Sequence, residues 1–364
     1  MTPMHADPTT LQMVWFGLSA VLWLGYFFLE GFDYGVGMLL PVLARDDDER
    51  RVMINTIGPV WDGNEVWLLT AGGAMFAAFP GWYASLFSGL YLPLFLVLLG
   101  LILRGIAFEY RTKRDSKEWK AGLDWCATIG SFLPSLVFGI GFANFVKGIK
   151  VGPDQLIAQG FWSLFNPFAL LGGVLFVVLF LAHGAVFIAL KTKGEIRTRA
   201  NGFALKATLA SAVLMAAFVL WQNIAWPAAE TSWLGTAATA ICWVFGLMAV
   251  AYLFIAAAMV KKERDGWAFA FTGLAIAFLV IDIFAKMYGN LGFISADTGL
   301  PLDMTTASSS PYTLKLMTIA SGCAVPVVVG YQAWSYWVFR KRLGVGNLPQ
   351  MAITKPRRGA STAG

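Results

Sequence analysis

The sequence predicts an all-α membrane protein with about nine transmembrane helices. Three observations carry this. The chain of 364 residues is 58% hydrophobic, with a mean hydropathy of +0.65. Only 13% of its residues are charged, against about 25% in a soluble domain. The apolar residues also gather in runs long enough to cross a hydrocarbon core, which takes about 20 helical residues. Strands of a barrel would read as short alternating segments instead.

The runs fall at 13–42, 56–79, 82–104, 123–146, 161–190, 203–226, 233–259, 267–288 and 313–339. The first follows a short N-terminal segment, 1–12, that has no Lys or Arg and so no basic n-region of a signal peptide. The second contains Pro59, which breaks regular helix bonding near one end. The third ends on Arg104, and the fifth carries the lone intramembrane histidine, His183. The eighth holds Asp282 and Lys286, four apart, the spacing of an intrahelical ion pair. The ninth follows a Ser-, Thr- and Gly-rich loop over 289–312. Residues 13–339 therefore form one membrane domain. Residues 340–364 are a basic tail, expected to be disordered.

Charge sets the orientation. With the N-terminus outside, 23 of the 27 Lys and Arg fall in inner segments, and only Lys147, Lys150, Lys286 and Lys315 lie outward. The positive-inside rule gives N-out and C-in, which requires an odd number of spans. The net charge of +6 thus reflects topology and not nucleic-acid binding. A faint likeness between "LEGFDYGVGML" and "AHGAVFIALKT" suggests two four-helix halves plus one helix.

Charged side chains inside a span cost about 2.5–3.5 kcal/mol each on insertion scales, so they face protein or a wet cavity. Glu30 and Asp33 share one face of the first span, in its inner half. They fit a structural hydrogen-bond cluster or proton handling. In "GPVWDGNEVWLLTAGG", Asp62, Asn64 and Glu65 make a hydrophilic entry beside Trp61 and Trp67. Arg104 reaches the same level, where pairing with one of these carboxylates would lower the cost of both. Glu109 reads as an interfacial anchor. Trp61, Trp67, Trp82 and Trp162 fit an interfacial belt, with an apolar ligand route or quinone contact open for Trp61 and Trp67. Cys126, Cys242 and Cys323 read as apolar core residues. His183 fits a packing histidine better than a haem ligand, and two histidines are too few for a self-contained metal centre. No Walker A or dinucleotide fingerprint occurs. Nothing in the chain alone can carry a redox reaction, and the residues by themselves give a nine-span protein with an inner-face proton or cation site, which also suits a secondary transporter or channel or a scaffold whose acids fix helix packing.

The chain resembles subunit II of the cytochrome bd-type quinol oxidases. The resemblance rests on "EGFDYGVGMLLP", "RRVMINTIGPVWDGNEVWLLTAGGAMFAAFPGWYASLFSGLYLPL", "LILRGIAFEYR", "GSFLPSLVFGIGFANF", "NPFALLGGVLF", "GWAF" and "ASSSPYTLKLMT", in one order over nearly the whole chain. It implies nine helices in two four-helix bundles plus one. It also implies a heterodimer in a bacterial cytoplasmic membrane, in which a partner subunit I bears haems b558, b595 and d. The complex would oxidise quinol and reduce oxygen to water with protons taken from inside. Small single-span accessory subunits and membrane lipid are further expected partners, and this chain alone would not be catalytic and would bind no metal. Carried over by position, Asp62 matches the acid at the mouth of a proton path, with Glu65, Glu30, Asp33 and Arg104 around it. Trp67 matches a residue proposed for oxygen entry. Trp61 and Asp62 match the place where some members bind a structural quinone. At Glu65 some members carry Gln, a departure in this chain.

Overall fold

The computed structural model describes residues 7–152, 157–228, 232–295 and 302–348. The N-terminal stretch with His5, part of the loop before the last helix, and the tail from 349 onward lie outside the described residues.

Among the described residues, eleven α-helices carry the fold: α1 (Thr10–Leu43), α2 (Asp47–Ile57), α3 (Trp61–Ala78), α4 (Pro80–Gly89), α5 (Tyr91–Tyr110), α6 (Lys117–Lys147), α7 (Pro167–Lys191), α8 (Glu195–Ala225), α9 (Thr236–Lys261), α10 (Asp265–Met287) and α11 (Pro311–Val338). Among the described residues, eight helices are long and apolar enough to cross a membrane, counting α5 with its 3₁₀ extension to Lys113. They are α1, α5, α6, α7, α8, α9, α10 and α11. Of the nine runs in the sequence, the second is the exception. It forms α3, a helix of 18 residues whose first turns hold Asp62, Asn64 and Glu65. Those groups offset its apolar remainder. Pro59 does not kink a span. It sits in the turn that separates α2 from α3. The third run is also divided, because α4 ends at Gly89 and α5 starts at Tyr91.

α1 is the central pillar. It has 34 residues, so it spans about 50 Å. Thr9 and Gln12 close a capping box at its start. It packs against α3, α6, α7, α10 and α11. Against α7 the approach is backbone to backbone. A Cβ built on Gly35 would lie 2.0 Å from the Phe180 carbonyl oxygen and 2.7 Å from Gly184 Cα. No larger residue fits there. In lipid, where helix association gains little from apolar burial, such close contact supplies the packing.

The same device brings α5 against α6. A Cβ on Gly130 would lie 2.5 Å from the Gly100 oxygen and 2.8 Å from the Arg104 nitrogen. This contact holds Arg104 against the centre of the molecule. At one end, a two-stranded parallel sheet joins Ile149–Val151 to Phe293–Ser295. The opposite end carries the basic loops and is tied by ion pairs. Arg111 meets Asp124 at 2.6 Å and Asp47 at 2.7 Å, Arg199 meets Glu49 at 2.6 Å, and Arg197 meets Asp265 at 3.0 Å. The first nine residues after the ninth predicted run are ordered against this basic end. Arg342 bonds Asp265 at 2.8 Å, and the Leu343 backbone pairs with Lys191 and Lys193.

α11 differs from the rest. It is exposed over nearly its whole length, and Leu314 is its one buried residue. Two sets of hydrogen bonds fasten it. Trp15 Nε1 donates to Leu314 O at 3.2 Å and to Thr318 Oγ1 at 3.0 Å near its start. Gln332 and Tyr336 are bonded near its end.

Candidate functional site

Glu30 and Asp33 lie on α1 about 20 Å or less from its basic end, at 1.5 Å per residue. Both side chains are fully buried. The structure separates their partners. Glu30 Oε2 lies 2.6 Å from Arg104 Nη2. Asp33 Oδ2 accepts from Asn64 Nδ2 at 2.6 Å. Arg104 Nη2 also donates to Glu65 Oε1 at 2.8 Å. The pairing left open in the sequence is therefore with Glu65, and Glu30 is a second partner from another helix.

The guanidinium is fully buried and has aromatic neighbours. It sits 4.6 Å from the centroid of the Tyr34 ring and 5.7 Å from that of Phe108. Such cation–π contacts gain most when desolvated. Tyr34 is held in turn by a hydroxyl–hydroxyl bond to Tyr26. Arg104 Nε and Nη1, Glu30 Oε1 and Asp33 Oδ1 are buried and make no hydrogen bond to a described residue. The cluster thus brings two carboxylates, Glu30 and Glu65, to one guanidinium, with Asp33 as a third acid bonded to Asn64. Fully ionised, it would bury two net negative charges, and an uncompensated buried charge is far costlier than a paired one.

Asn64 joins this cluster to α11. Its Oδ1 accepts from Tyr336 Oη at 2.8 Å and Gln332 Nε2 at 3.3 Å. Gln332 Oε1 accepts from Trp67 Nε1 at 2.8 Å. Trp67 is half-buried, with its ring against Gly25 of α1. Trp61 is half-buried and meets Phe108 edge to face at 5.5 Å, and Phe108 in turn neighbours the Arg104 guanidinium.

Asp62 is placed differently from the other acids. It lies on the exposed side of α3, with no hydrogen bond or ion pair to a described residue. Val66, Leu69 and Phe76 are exposed on the same helix. Glu65 is the step between, with its side chain 22% exposed while Arg104 and Glu30 are closed off. Gln332, Tyr336 and Tyr34 belong to the site and were not singled out from sequence. The available signal was the spacing of Gln332 and Tyr336, four apart in an apolar run and so on one helix face.

Other expectations meet different outcomes. His183 is buried and stacks on Phe269 at 4.6 Å. Nε2 donates to the Phe28 carbonyl at 3.1 Å, and Nδ1 bonds the Thr272 hydroxyl at 2.7 Å. Both ring nitrogens are used, as in a packing histidine. Lys286 does not pair with Asp282. Its Nζ donates to the carbonyls of Gln222 at 2.7 Å and Trp226 at 2.5 Å, at the end of α8, where a cation is favoured. Asp282 instead accepts from the Gln222 amide. Trp82 is 1% exposed and belongs to the core rather than an interfacial belt. Cys242 is buried, but Cys126 is only half-buried and Cys323 is exposed.

At the basic end, burial would raise the Asp47 carboxyl, but hydrogen bonds from Arg111 and Lys120 outweigh it and hold the group below its ordinary range. Among the described residues, no group of three or more His, Cys, Asp or Glu is placed to hold a metal ion.

Comparisons with known proteins bear on the whole chain. The profile of the family described as cytochrome bd terminal oxidase subunit II matches residues 11–339. The chain is 42% identical over 334 residues to the cytochrome bd ubiquinol oxidase subunit 2 of Bacillus subtilis (strain 168), covering 92% of this chain and 97% of that one. It is 35% identical over 358 residues to the cytochrome bd-I ubiquinol oxidase subunit 2 of Escherichia coli (strain K12), covering 91% and 94%. In fold it is similar to a chain from the structure of bd oxidase from Geobacillus thermodenitrificans, with a TM-score of 0.74 at 16% identity, covering 91% of this chain and 99% of that one. With the buried acids and arginine set on a bundle of apolar helices, the family match over 11–339 leads to one conclusion: the chain belongs to the cytochrome bd terminal oxidase subunit II family.

Proposed function

We propose that this chain is the non-haem subunit of a quinol-oxidising, oxygen-reducing complex in a bacterial cytoplasmic membrane, and that it brings protons from the inner face toward its partner. In this reading α3 completes nine spans, arranged as two four-helix bundles plus one helix, with the N-terminus outside and the basic end inside. Subunit I bears haems b558, b595 and d. The engagement of both His183 nitrogens within this chain supports that division. Small accessory subunits complete the assembly.

One observation carries the proton role: Glu30 and Glu65 meet on the buried guanidinium of Arg104, and Asp33, on the next turn of α1 from Glu30, is held by Asn64. Charge balance favours a cluster that holds protons, because one cation compensates one carboxylate. A group of acids sharing protons titrates as a unit and passes them on without burying a new charge. Asp62 is the outermost acid, on the face where a partner subunit would seat, and Glu65 connects it to Arg104. Protons drawn from inside and consumed in oxygen reduction make the reaction electrogenic without a pump. Trp67 lines the oxygen route. Trp61 and Asp62 flank the place for a structural quinone, where an indole face can stack on a flat ring.

Asp62→Asn tests the proton role. The purified complex should keep its haem content while quinol-dependent oxygen consumption falls severalfold. Unchanged turnover would reject the route. A stable preparation without haem b and d bands would reject the oxidase reading itself.

A further inference from the structure

An apolar groove of about 120 Å³ lies between α5 and α6, at the end of the bundle opposite the basic loops. Pro93 and Leu96 form one wall, Val137, Ile140 and Gly141 the other, and Phe165 helps close the end. No part of the proton cluster reaches it. We propose that this groove holds an acyl chain of an anionic phospholipid, with the headgroup at Lys147 and Lys150. The inference rests on the membrane reading of the chain and not on the proton route.

The groove itself is almost purely apolar. Its one polar side chain is Asn144, whose amide is already used. Asn144 Nδ2 donates to the Ile140 and Leu164 carbonyls at 2.8 and 2.9 Å, and its Oδ1 accepts from Asn166 at 3.0 Å. Nothing inside the groove remains to read a quinone carbonyl. A plain hydrocarbon chain is the matching occupant.

The mouth supplies the charge. Ile140, Asn144 and Lys147 follow one another at helical spacing, so they share a face of α6. Ile140 and Asn144 line the groove. Lys147 therefore lies on the same stripe about 10 Å beyond Ile140 at 1.5 Å per residue, where the helix ends. Lys150 follows on the short strand as its exposed residue. Among the described residues, neither lysine is in an ion pair. Trp162 is 81% exposed on the adjoining 3₁₀ helix, a setting suited to the headgroup level. Basic residues at that level attract anionic lipid. They are otherwise scarce at this end, where Lys286 is spent on the α8 carbonyls.

Gly141 offers a way to fill the groove, because a Cβ there would meet nothing within 4 Å. The test uses the whole complex, incubated with vesicles of equal phosphatidylglycerol and phosphatidylcholine with matched chains, then freed of excess lipid and weighed by native mass spectrometry. The unaltered complex should retain phosphatidylglycerol at least fivefold over phosphatidylcholine. The double variant Lys147→Gln, Lys150→Gln should bring that ratio to within twofold of unity. Gly141→Leu should reduce retention of both lipids severalfold while assembly and haem content hold. An unchanged ratio in the double variant would overturn the proposal. So would release of a quinone rather than phospholipid by Gly141→Leu, or a groove filled by a helix of a partner chain. Asp62→Asn should leave lipid retention unchanged, so the two readings fail separately.

Discussion

Arg104→Met removes the one cation of the buried cluster. Its Nη2 lies 2.6 Å from Glu30 and 2.8 Å from Glu65, and the side chain is fully buried. At an effective dielectric of 20, unit charges about 4 Å apart attract by about 4 kcal/mol. Breaking a buried pair by removing one partner costs about 3–5 kcal/mol by experience, because the remaining charge is stranded. The two magnitudes agree, and the variant should lose about that much stability. The triple variant Arg104→Met, Glu30→Gln, Glu65→Gln removes the stranded charges along with the cation. It should recover more than half of the loss, since a neutral replacement of a buried ionic cluster is often close to isoenergetic. The assay is the thermal inactivation midpoint of the purified complex together with its yield from membranes. A triple variant as unstable as the single one would refute the reasoning, and so would a single variant with an unchanged midpoint. If the cluster also carries protons, the triple variant should be stable and slow.

Two further outcomes follow from neighbouring parts of the structure. Trp67→Ala opens space between α1 and α3 and frees Gln332 from its indole partner; it should weaken apparent oxygen affinity, and an unchanged oxygen dependence of turnover would count against a route there. Asp47→Asn should destabilise the complex near pH 7 by less than about 1 kcal/mol, because the carboxylate is 39% exposed and solvent screens its pairs. Because the folded carboxyl is held below its unfolded value by Arg111 and Lys120 despite some burial, its contribution is complete above pH ~4 and is lost as pH falls through the folded value. The gap between the two proteins' thermal midpoints should therefore close in acid, and a gap that widened below pH ~4 would contradict the sign.

Most of the fold was legible because lipid imposes long apolar runs whatever the side-chain detail. Interruptions were not. Leu90 is as apolar as its neighbours, so nothing in hydropathy marks the end of α4 and the start of α5. Nor does apolarity distinguish a core from a lipid face, which is why Cys323 and Trp82 changed places relative to expectation. In the site, Glu30, Glu65 and Arg104 stood out because buried charge is expensive. Gln332 and Tyr336 did not, since uncharged polar groups in a span are cheaper and often face the interface. Spacing also misled at Lys286. Four residues from Asp282 predicts a pair on the same helix, but the Gln222 and Trp226 carbonyls at the end of α8 compete for the same ammonium.

The Asn64 amide takes its polarity from its partners. Its nitrogen faces the Asp33 acceptor, and its oxygen faces the two donors Gln332 and Tyr336. Turned over, it would set its nitrogen against the Gln332 amide nitrogen and its oxygen against the Asp33 carboxylate. A carboxylate on α1 thereby dictates how α11 is gripped. Hydrocarbon solvent gives α11 no hydrophobic reason to stay, so the grip rests on a few directional bonds. α11 behaves less like a packed helix than like a bar clipped at two points. The clip nearer the basic end is set by the same acid that shares the buried charge cluster.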